Sequence, residues 1–195
     1  VFRALLDKAV FTGHCDIHMN MLSGWHKDSG EHVGGYFQGD YFVDEDCQVF
    51  KAAVYLQDAG RRDGLTVRLR SHRSMSHGGE EVWIPSRQGD VVIFDVRLSH
   101  TGQRPDIIEL GMKAATKTFK DRSGQDQQWL TSLKSAYWGI IGRRDRLSLF
   151  FTFGEDNRFT EQFAEANMLR QNHQAGTLAA EVDTALTGAL TRHGI

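Results

Sequence analysis

The sequence predicts a mainly β protein, a sandwich or barrel of short strands with helices packed on its outside. From about residue 48 to 100, apolar and β-branched runs recur at short intervals, separated by turns rich in Gly, Asp and Arg. This pattern is typical of antiparallel sheets rather than of alternating strands and helices. Beyond residue 158, apolar residues return at helical spacing, as at Phe163, Ala166 and Leu169, which predicts flanking helices.

The elements follow in order along a chain that we expect to form one domain, residues 1–195, with its core at about 14–154. A short helix is expected at 2–11, because apolar residues recur there at helix-like spacing. Alternation and β-branched runs predict strands at 14–22, 48–57, 65–69, 82–85, 91–96, 137–141 and 147–153. The mildly helical segment at about 103–143 is interpreted as an insertion that covers the site, and C-terminal helices are expected at about 158–192, specifically 160–170 and 177–192.

Composition narrows the class of function. The chain has 23 basic and 25 acidic residues and a formal charge of −2, which argues against nucleic acid as an obligatory partner. It has two cysteines, Cys15 and Cys47, without a Cys-x-x-Cys pair, so neither a disulfide framework nor a structural zinc site is expected. No apolar run approaches the ~18 residues of a membrane span, and no signal-peptide pattern is seen. We therefore expect a cytoplasmic protein that does not bind membranes.

A candidate metal site lies in the stretch from Gly24 to Gly30. His26 and Asp28 stand two positions apart, so in extended backbone both side chains point to the same side. Two nitrogens and one carboxylate on one octahedral face are the ligand set of non-haem Fe(II) oxygenases, which leaves three positions open. The second histidine is expected to be His100, which follows the strand at 91–96.

The His-x-Asp tripeptide is weak evidence alone, because the chain has nine histidines and a second match exists at His14 and Asp16. The family resemblance given below implies a long strand soon after the ligand pair, and residues 51–56 follow His26 at a more natural distance for this than they follow His14. His32 also lies near the pair, but we interpret it as part of a glycine- and aromatic-rich loop that forms a lid or pocket wall. A fourth protein ligand would fill a position that oxygenase chemistry needs.

Several pieces in order give the chain a resemblance to a known family. They are Trp25-His26-Lys27-Asp28, a long apolar strand, Gly64-Leu65-Thr66-Val67 with Ser71-His72-Arg73, Gly89-Asp90-Val91-Val92-Ile93-Phe94 with His100, and Arg146 opening a last strand. Their order resembles the phytanoyl-CoA dioxygenase-like branch of the Fe(II)/2-oxoglutarate oxygenases, over about 24–154. The chain departs from that pattern at Leu69-Arg70-Ser71-His72, where Pro-Gly-Ser-His is common, and in the long interval before Arg146.

The resemblance implies a double-stranded β-helix, a jelly-roll and cupin-like core with flanking helices. It implies Fe(II) bound by His26, Asp28 and His100, and 2-oxoglutarate whose distal carboxylate binds Arg146. A planar guanidinium suits that task because it offers two parallel donors to a carboxylate. Arg144, two residues away on the same strand face, is a competitor, and Arg104 is a weaker one.

Lys51 is a charged residue inside an apolar strand. It faces either the 2-oxoglutarate pocket or a solvated side of the sheet, since a buried lysine needs a partner.

The activity implied by the resemblance is hydroxylation, or a related oxidation, of an unactivated C–H bond with O₂, yielding succinate and CO₂. The substrate would be a small molecule of natural-product, lipid or amino-acid origin. Because the carboxylate Asp28 is present, where chloride-transferring relatives have a small residue, halogenation is not expected. Two alternatives stay open: a cupin-type metal enzyme that does not use 2-oxoglutarate and recruits His14 or His32, and a non-catalytic jelly-roll binding module.

Overall fold

Two antiparallel sheets form the core of the computed structural model, which describes residues 5–19, 23–30, 35–102, 106–112, 114–115, 133, 136–142 and 146–175. The larger sheet has the strand order β1-β7-β2-β5 and the smaller one β4-β3-β6. The strands are β1 (Ala9–Met19), β2 (Val49–Tyr55), β3 (Leu65–Arg68), β4 (Glu81–Ile84), β5 (Val91–Asp95), β6 (His100–Thr101) and β7 (Leu147–Glu155). The mainly β class is thereby confirmed.

Helices are few in the described part of the chain. A short 3-10 helix spans Ser71–Arg73, and helix α1 (Arg158–Ala175) packs on β1, β2 and β7. Helical backbone also occurs at 107–112 and 136–140, inside the predicted insertion. Among the described residues, no helix combines the length and apolar character that a membrane crossing requires.

Strand β2 is central to the larger sheet because its sequence suits burial on both faces. It pairs with β7 on one side and with β5 on the other, and five of its seven residues are buried. Continuous apolar runs of this kind fit a strand covered on both faces. Lys51 is the charged member of that run, and its side chain points towards the candidate metal site described below.

The loop at 35–47 is part of the core rather than a simple lid. Phe37 and Tyr41 are buried and pack with Phe159 and Phe163 of α1. Their aromatic surfaces supply apolar area that neither sheet provides at this end. The loop therefore fixes the helix against the larger sheet, and its Tyr36 lines a cavity together with His26 and Asp28.

Two predicted elements are wrong. The helix expected at 2–11 is a strand from Ala9 onwards, because Ala9, Val10 and Phe11 pair with the C-terminal end of β7. The strand expected at 137–141 is helical at 136–140 instead. Its aromatic residues contact the other helical stretch, where the Tyr137 hydroxyl donates to Asp106 (2.8 Å) and the Trp138 indole N–H donates to Glu109 (2.6 Å).

The remaining expected elements fall into two groups. The strands predicted at 14–22, 48–57, 65–69, 82–85, 91–96 and 147–153 and the helix at 160–170 are confirmed, with end shifts of a few residues. The helix predicted at 177–192, and most of the segment at 113–135, lie outside the described residues.

Candidate metal centre

A short antiparallel bridge holds the two candidate histidine ligands side by side. The amide of His26 donates to the carbonyl of His100 (3.0 Å), and the amide of His100 donates back to the carbonyl of His26 (2.9 Å). His100 opens β6, which also pairs with β3, so the bridge attaches the His26 segment to the smaller sheet. The imidazole centroids lie 4.3 Å apart.

Both imidazoles are oriented by their second nitrogen. The Nδ1 of His26 lies 2.9 Å from the carbonyl oxygen of Gly24, and the Nδ1 of His100 lies 2.9 Å from that of Leu98. Because a carbonyl oxygen can only accept, each Nδ1 donates, and the Nε2 of each ring is directed towards Asp28. Metal-binding histidines are commonly oriented by bonds of this kind.

Burial, and next the nearby His100, lower the pKa of His26. Both effects favour the neutral imidazole, which is the form that can bind a metal.

Asp28 completes the group from a turn that begins two residues after the bridge residue His26, and not from the extended backbone that the sequence predicted. Its Oδ2 lies 3.3 Å from the Nε2 of His100 and its Oδ1 lies 3.8 Å from the Nε2 of His26. All three ligand atoms fall within 4.8 Å of one another. Three ligand atoms at these separations could bind one ion after the side chains move closer together.

Lys27, between the two ligands in sequence, points the opposite way and is buried. Its ammonium donates to the carbonyl oxygen of Arg97 (2.7 Å) and to that of Ser71. Both acceptors lie on segments next to the smaller sheet. The Lys27 side chain thus ties the ligand segment to its support while His26 and Asp28 face the cavity.

The carboxylate of Asp28 is kept ionised by its neighbours. Burial raises its pKa, but the opposing effects of Lys51 and His100 prevail and hold the pKa well below its usual range. The ammonium of Lys51 donates to Oδ2 at 3.0 Å. Lys51 is only 6% exposed, so of its two possible positions the structure shows the cavity and not a solvated face.

Arg146 faces the same cavity, a space of about 110 Å³ that the three candidate ligands and Lys51 also line. It lies immediately before β7 and is 7% exposed. Its guanidinium approaches Gly102 so closely that a Cβ on that glycine would lie 3.0 Å from Nη1. The guanidinium carbon is also 5.8 Å from the Tyr55 ring centroid. The arrangement places a second positive charge beside the candidate metal site.

The alternative pair, His14 and Asp16, forms a contact of its own outside the candidate metal site. The Nε2 of His14 lies 2.7 Å from Oδ2 of Asp16, and its Nδ1 lies 2.8 Å from the hydroxyl of Thr152. Both ring nitrogens of His14 are therefore engaged, and the three-residue group found among the described residues does not include it. His32, Arg104 and Arg144 lie outside the described residues.

Sequence reasoning missed a second cavity, of about 540 Å³, which lies between β1 and α1. It shares His18, His26, Asp28 and Lys51 with the first cavity. The imidazole of His18 packs on the Phe150 ring at 4.6 Å. Alternation along β1 could have indicated that His14, Asp16 and His18 share a face, but the partners of that face come from α1 and were not apparent.

Comparison with known proteins gives similarity at the level of solved structures. Neither a family model nor a curated protein matches the chain. The similar solved structures include EvdMO1, with 18% identity over 80% of this chain and 30% of that one, at a TM-score of 0.46. A nickel complex of the non-heme monooxygenase ThoJ has 10% identity, coverage of 78% and 47%, and a TM-score of 0.45.

Iron-bound HygX from Streptomyces hygroscopicus is a third, with 15% identity, coverage of 79% and 62%, and a TM-score of 0.43. The present chain therefore spans between about a third and three fifths of the length of these three proteins.

Proposed function

We propose that this chain is the oxygenase domain of an Fe(II)/2-oxoglutarate-dependent enzyme that oxidises an unactivated C–H bond of a small molecule. The observation that carries the proposal is the convergence of His26, Asp28 and His100 within 4.8 Å. In this proposal the two sheets form a jelly-roll core, a double-stranded β-helix of the kind that the sequence resemblance implies, and residues 1–195 form one domain.

The chemistry of the donor set fits ferrous iron. Two neutral imidazole nitrogens and one carboxylate on one face form the triad that leaves three positions for other ligands. In this role the carbonyl oxygens of Gly24 and Leu98 hold the rings in place. When bound, iron and 2-oxoglutarate together supply O₂ activation: 2-oxoglutarate is oxidised to succinate and CO₂, and one oxygen atom enters the substrate C–H bond.

Arg146 and Lys51 would hold 2-oxoglutarate. They bring two positive charges to a small cavity whose one carboxylate, Asp28, would be neutralised further by the metal. A five-carbon dicarboxylate matches this charge pattern, with the planar guanidinium of Arg146 as the bidentate partner of its distal carboxylate. Lys51 already donates to Asp28, so it would position the carboxylate ligand as well as supply charge.

Hydroxylation, or a related oxidation, is the outcome that the donor set favours. Asp28 would supply one ligand as an ionised carboxylate, whereas halide transfer would need that position. The protein's contribution would thus be ligand geometry and an open face.

Anaerobic titration with Fe(II) and then 2-oxoglutarate, followed by visible absorption, tests the proposal. We expect a charge-transfer band in the wild-type protein and its loss in His26→Ala and His100→Ala. His72→Ala is the matched control, because His72 lines neither cavity of the site. Addition of O₂ should then produce succinate.

Each alternative predicts a different result in the same titration. Fe(II) binding without any effect of 2-oxoglutarate would favour a cupin-type metal enzyme. Absence of metal binding would leave a jelly-roll binding module. Either result contradicts the proposal.

A further inference from the structure

The second cavity is placed to admit a molecule larger than 2-oxoglutarate. Its volume of about 540 Å³ lies within the range of roughly 300–1,000 Å³ of small-molecule sites. Because His26 and Asp28 line both cavities, a molecule in the second one would contact these candidate metal ligands next to Arg146's cavity. Two ligands could therefore meet at the triad without competing for the same space.

Two charged side chains in the lining of this cavity, Asp16 and Arg170, remain partly exposed to water. A hydrocarbon chain that covered them would remove this water without replacing its hydrogen bonds, at a cost of ~1–3 kcal/mol for each buried group. A molecule with hydroxyl groups at these two positions would replace them.

Asp16 is a preorganised acceptor in this wall. His14, which is also bonded to Thr152, holds its carboxylate at 2.7 Å. That hydrogen bond outweighs the effect of burial and lowers the pKa of Asp16 to about 2, so the carboxylate is ionised at neutral pH.

Arg170 is the complementary donor on the helix side of the cavity. The carboxamide oxygen of Asn167 accepts from its Nε (3.0 Å) and Nη2 (2.9 Å), and Nη2 lies 3.6 Å from Oδ2 of Asp16. Asn167 is buried, which fixes this geometry. A carboxylate and a guanidinium thus stand next to each other on one cavity wall.

We propose that this second cavity binds the primary substrate, and that the substrate is a polyhydroxylated, carbohydrate-like small molecule rather than an acyl chain. Its hydroxyl donors bond to Asp16 and its oxygen acceptors to Arg170, while Phe163 contacts its C–H face. Pairs of adjacent hydroxyl groups suit such a wall, because each hydroxyl both donates and accepts. This inference rests on the proposed function for the reaction, but the binding itself needs no metal.

Saturation-transfer NMR on the full chain, without metal, tests the inference with maltose, glucosamine and octanoate as probes. We expect saturation to be transferred from the protein to maltose and glucosamine. Both sugars should bind Asp16→Ala at least ~10-fold more weakly, because one hydrogen bond to a charged group is lost. Asp156→Ala is the control, since Asp156 is exposed and outside the cavity lining. If Asp16→Ala does not fold, Arg170→Ala on the half-exposed arginine makes the same test.

Transfer to octanoate in place of the sugars, or to no hydroxylated probe, would overturn the inference. So would equal sugar binding by Asp16→Ala and the wild-type protein. Failure of Fe(II) and 2-oxoglutarate to bind would instead overturn the proposed function. Those ligands are measured in a separate titration, where Asp16→Ala should behave as the wild type.

Discussion

Lys27 illustrates how a residue outside the metal-binding motif supports it. Its buried ammonium is bonded to the carbonyl oxygens of Ser71 and Arg97, on the side opposite His26 and Asp28. The sequence places Lys27 between the ligands, but it does not show that two distant carbonyl groups receive it. The order of motifs in the family resemblance could predict His26, Asp28 and His100 as candidate ligands of one metal, whereas Lys27 has no signal in the sequence.

Replacing Lys27 by methionine should lower the free energy of unfolding by ~1–3 kcal/mol, because both carbonyl oxygens lose a charged donor in a buried setting. Urea denaturation measures this change. Lys8→Met, at an exposed lysine, should change the free energy of unfolding by less than ~0.5 kcal/mol. Equal effects of the two substitutions would show that the Lys27 contacts do not contribute.

Arg146→Ala should raise the concentration of 2-oxoglutarate needed for half-saturation by about 30-fold or more, because a buried charge pair costs ~2–5 kcal/mol when one partner is removed. Isothermal titration with the Fe(II) protein measures the change. Arg144→Ala is the natural comparison, since the sequence alone left both arginines as candidates. A larger loss in Arg144→Ala would transfer the role to that residue.

At the scale of elements, the first part of the β-strand Ala9–Met19 was the hardest to foresee, because a helix was expected at 2–11. Its pairing partner, Leu147–Glu155, lies at the far end of the chain, and short windows of sequence carry no information about such a partner. Strands β2 and β5 were predictable, because their apolar and β-branched runs reflect burial directly. The helix at 136–140 was predicted as a strand because Tyr and Trp favour strands. In the structure, Tyr137 and Trp138 instead contact Asp106 and Glu109.

Close packing between β7 and α1 predicts a steric effect at Gly154. A Cβ there would lie 2.8 Å from the carbonyl oxygen of Gln48 and would also collide with the Thr160 hydroxyl. Gly154→Ala should therefore lower the thermal midpoint, through overpacking of ~1–3 kcal/mol. Gly139→Ala, in an exposed helical position with open space around it, should instead raise it slightly, because alanine favours helix by up to ~1 kcal/mol.

For the whole molecule, Asp16 is expected to make the free energy of unfolding sensitive to acid. Its pKa falls from 3.8 to about 2 in the folded protein, so between these values the unfolded chain binds a proton that the native state does not. The stabilisation from Asp16 is therefore complete above about pH 4 and is lost as pH falls towards about 2. Between pH 4 and 2, the free energy of unfolding of Asp16→Asn should therefore decrease by ~1–2 kcal/mol less than that of the wild-type protein.

Urea denaturation of both proteins from pH 2 to 6 measures the difference. Parallel curves for Asp16→Asn and the wild type would contradict the pKa assignment. Asp156→Asn, at an exposed carboxylate, serves as the control.

The reciprocal backbone bonds between His26 and His100 have a consequence for the metal-free protein. Since the two imidazoles are ordered by the fold itself, an arriving ion would find these candidate ligands already arranged, and we expect metal uptake not to be coupled to folding as it is in zinc fingers. A chelator should then leave the far-ultraviolet circular dichroism unchanged and lower the thermal midpoint only by the mass-action effect of the lost ligand. Fe(II) added to the metal-free protein should then bind at a rate limited by diffusion, without a slower refolding phase.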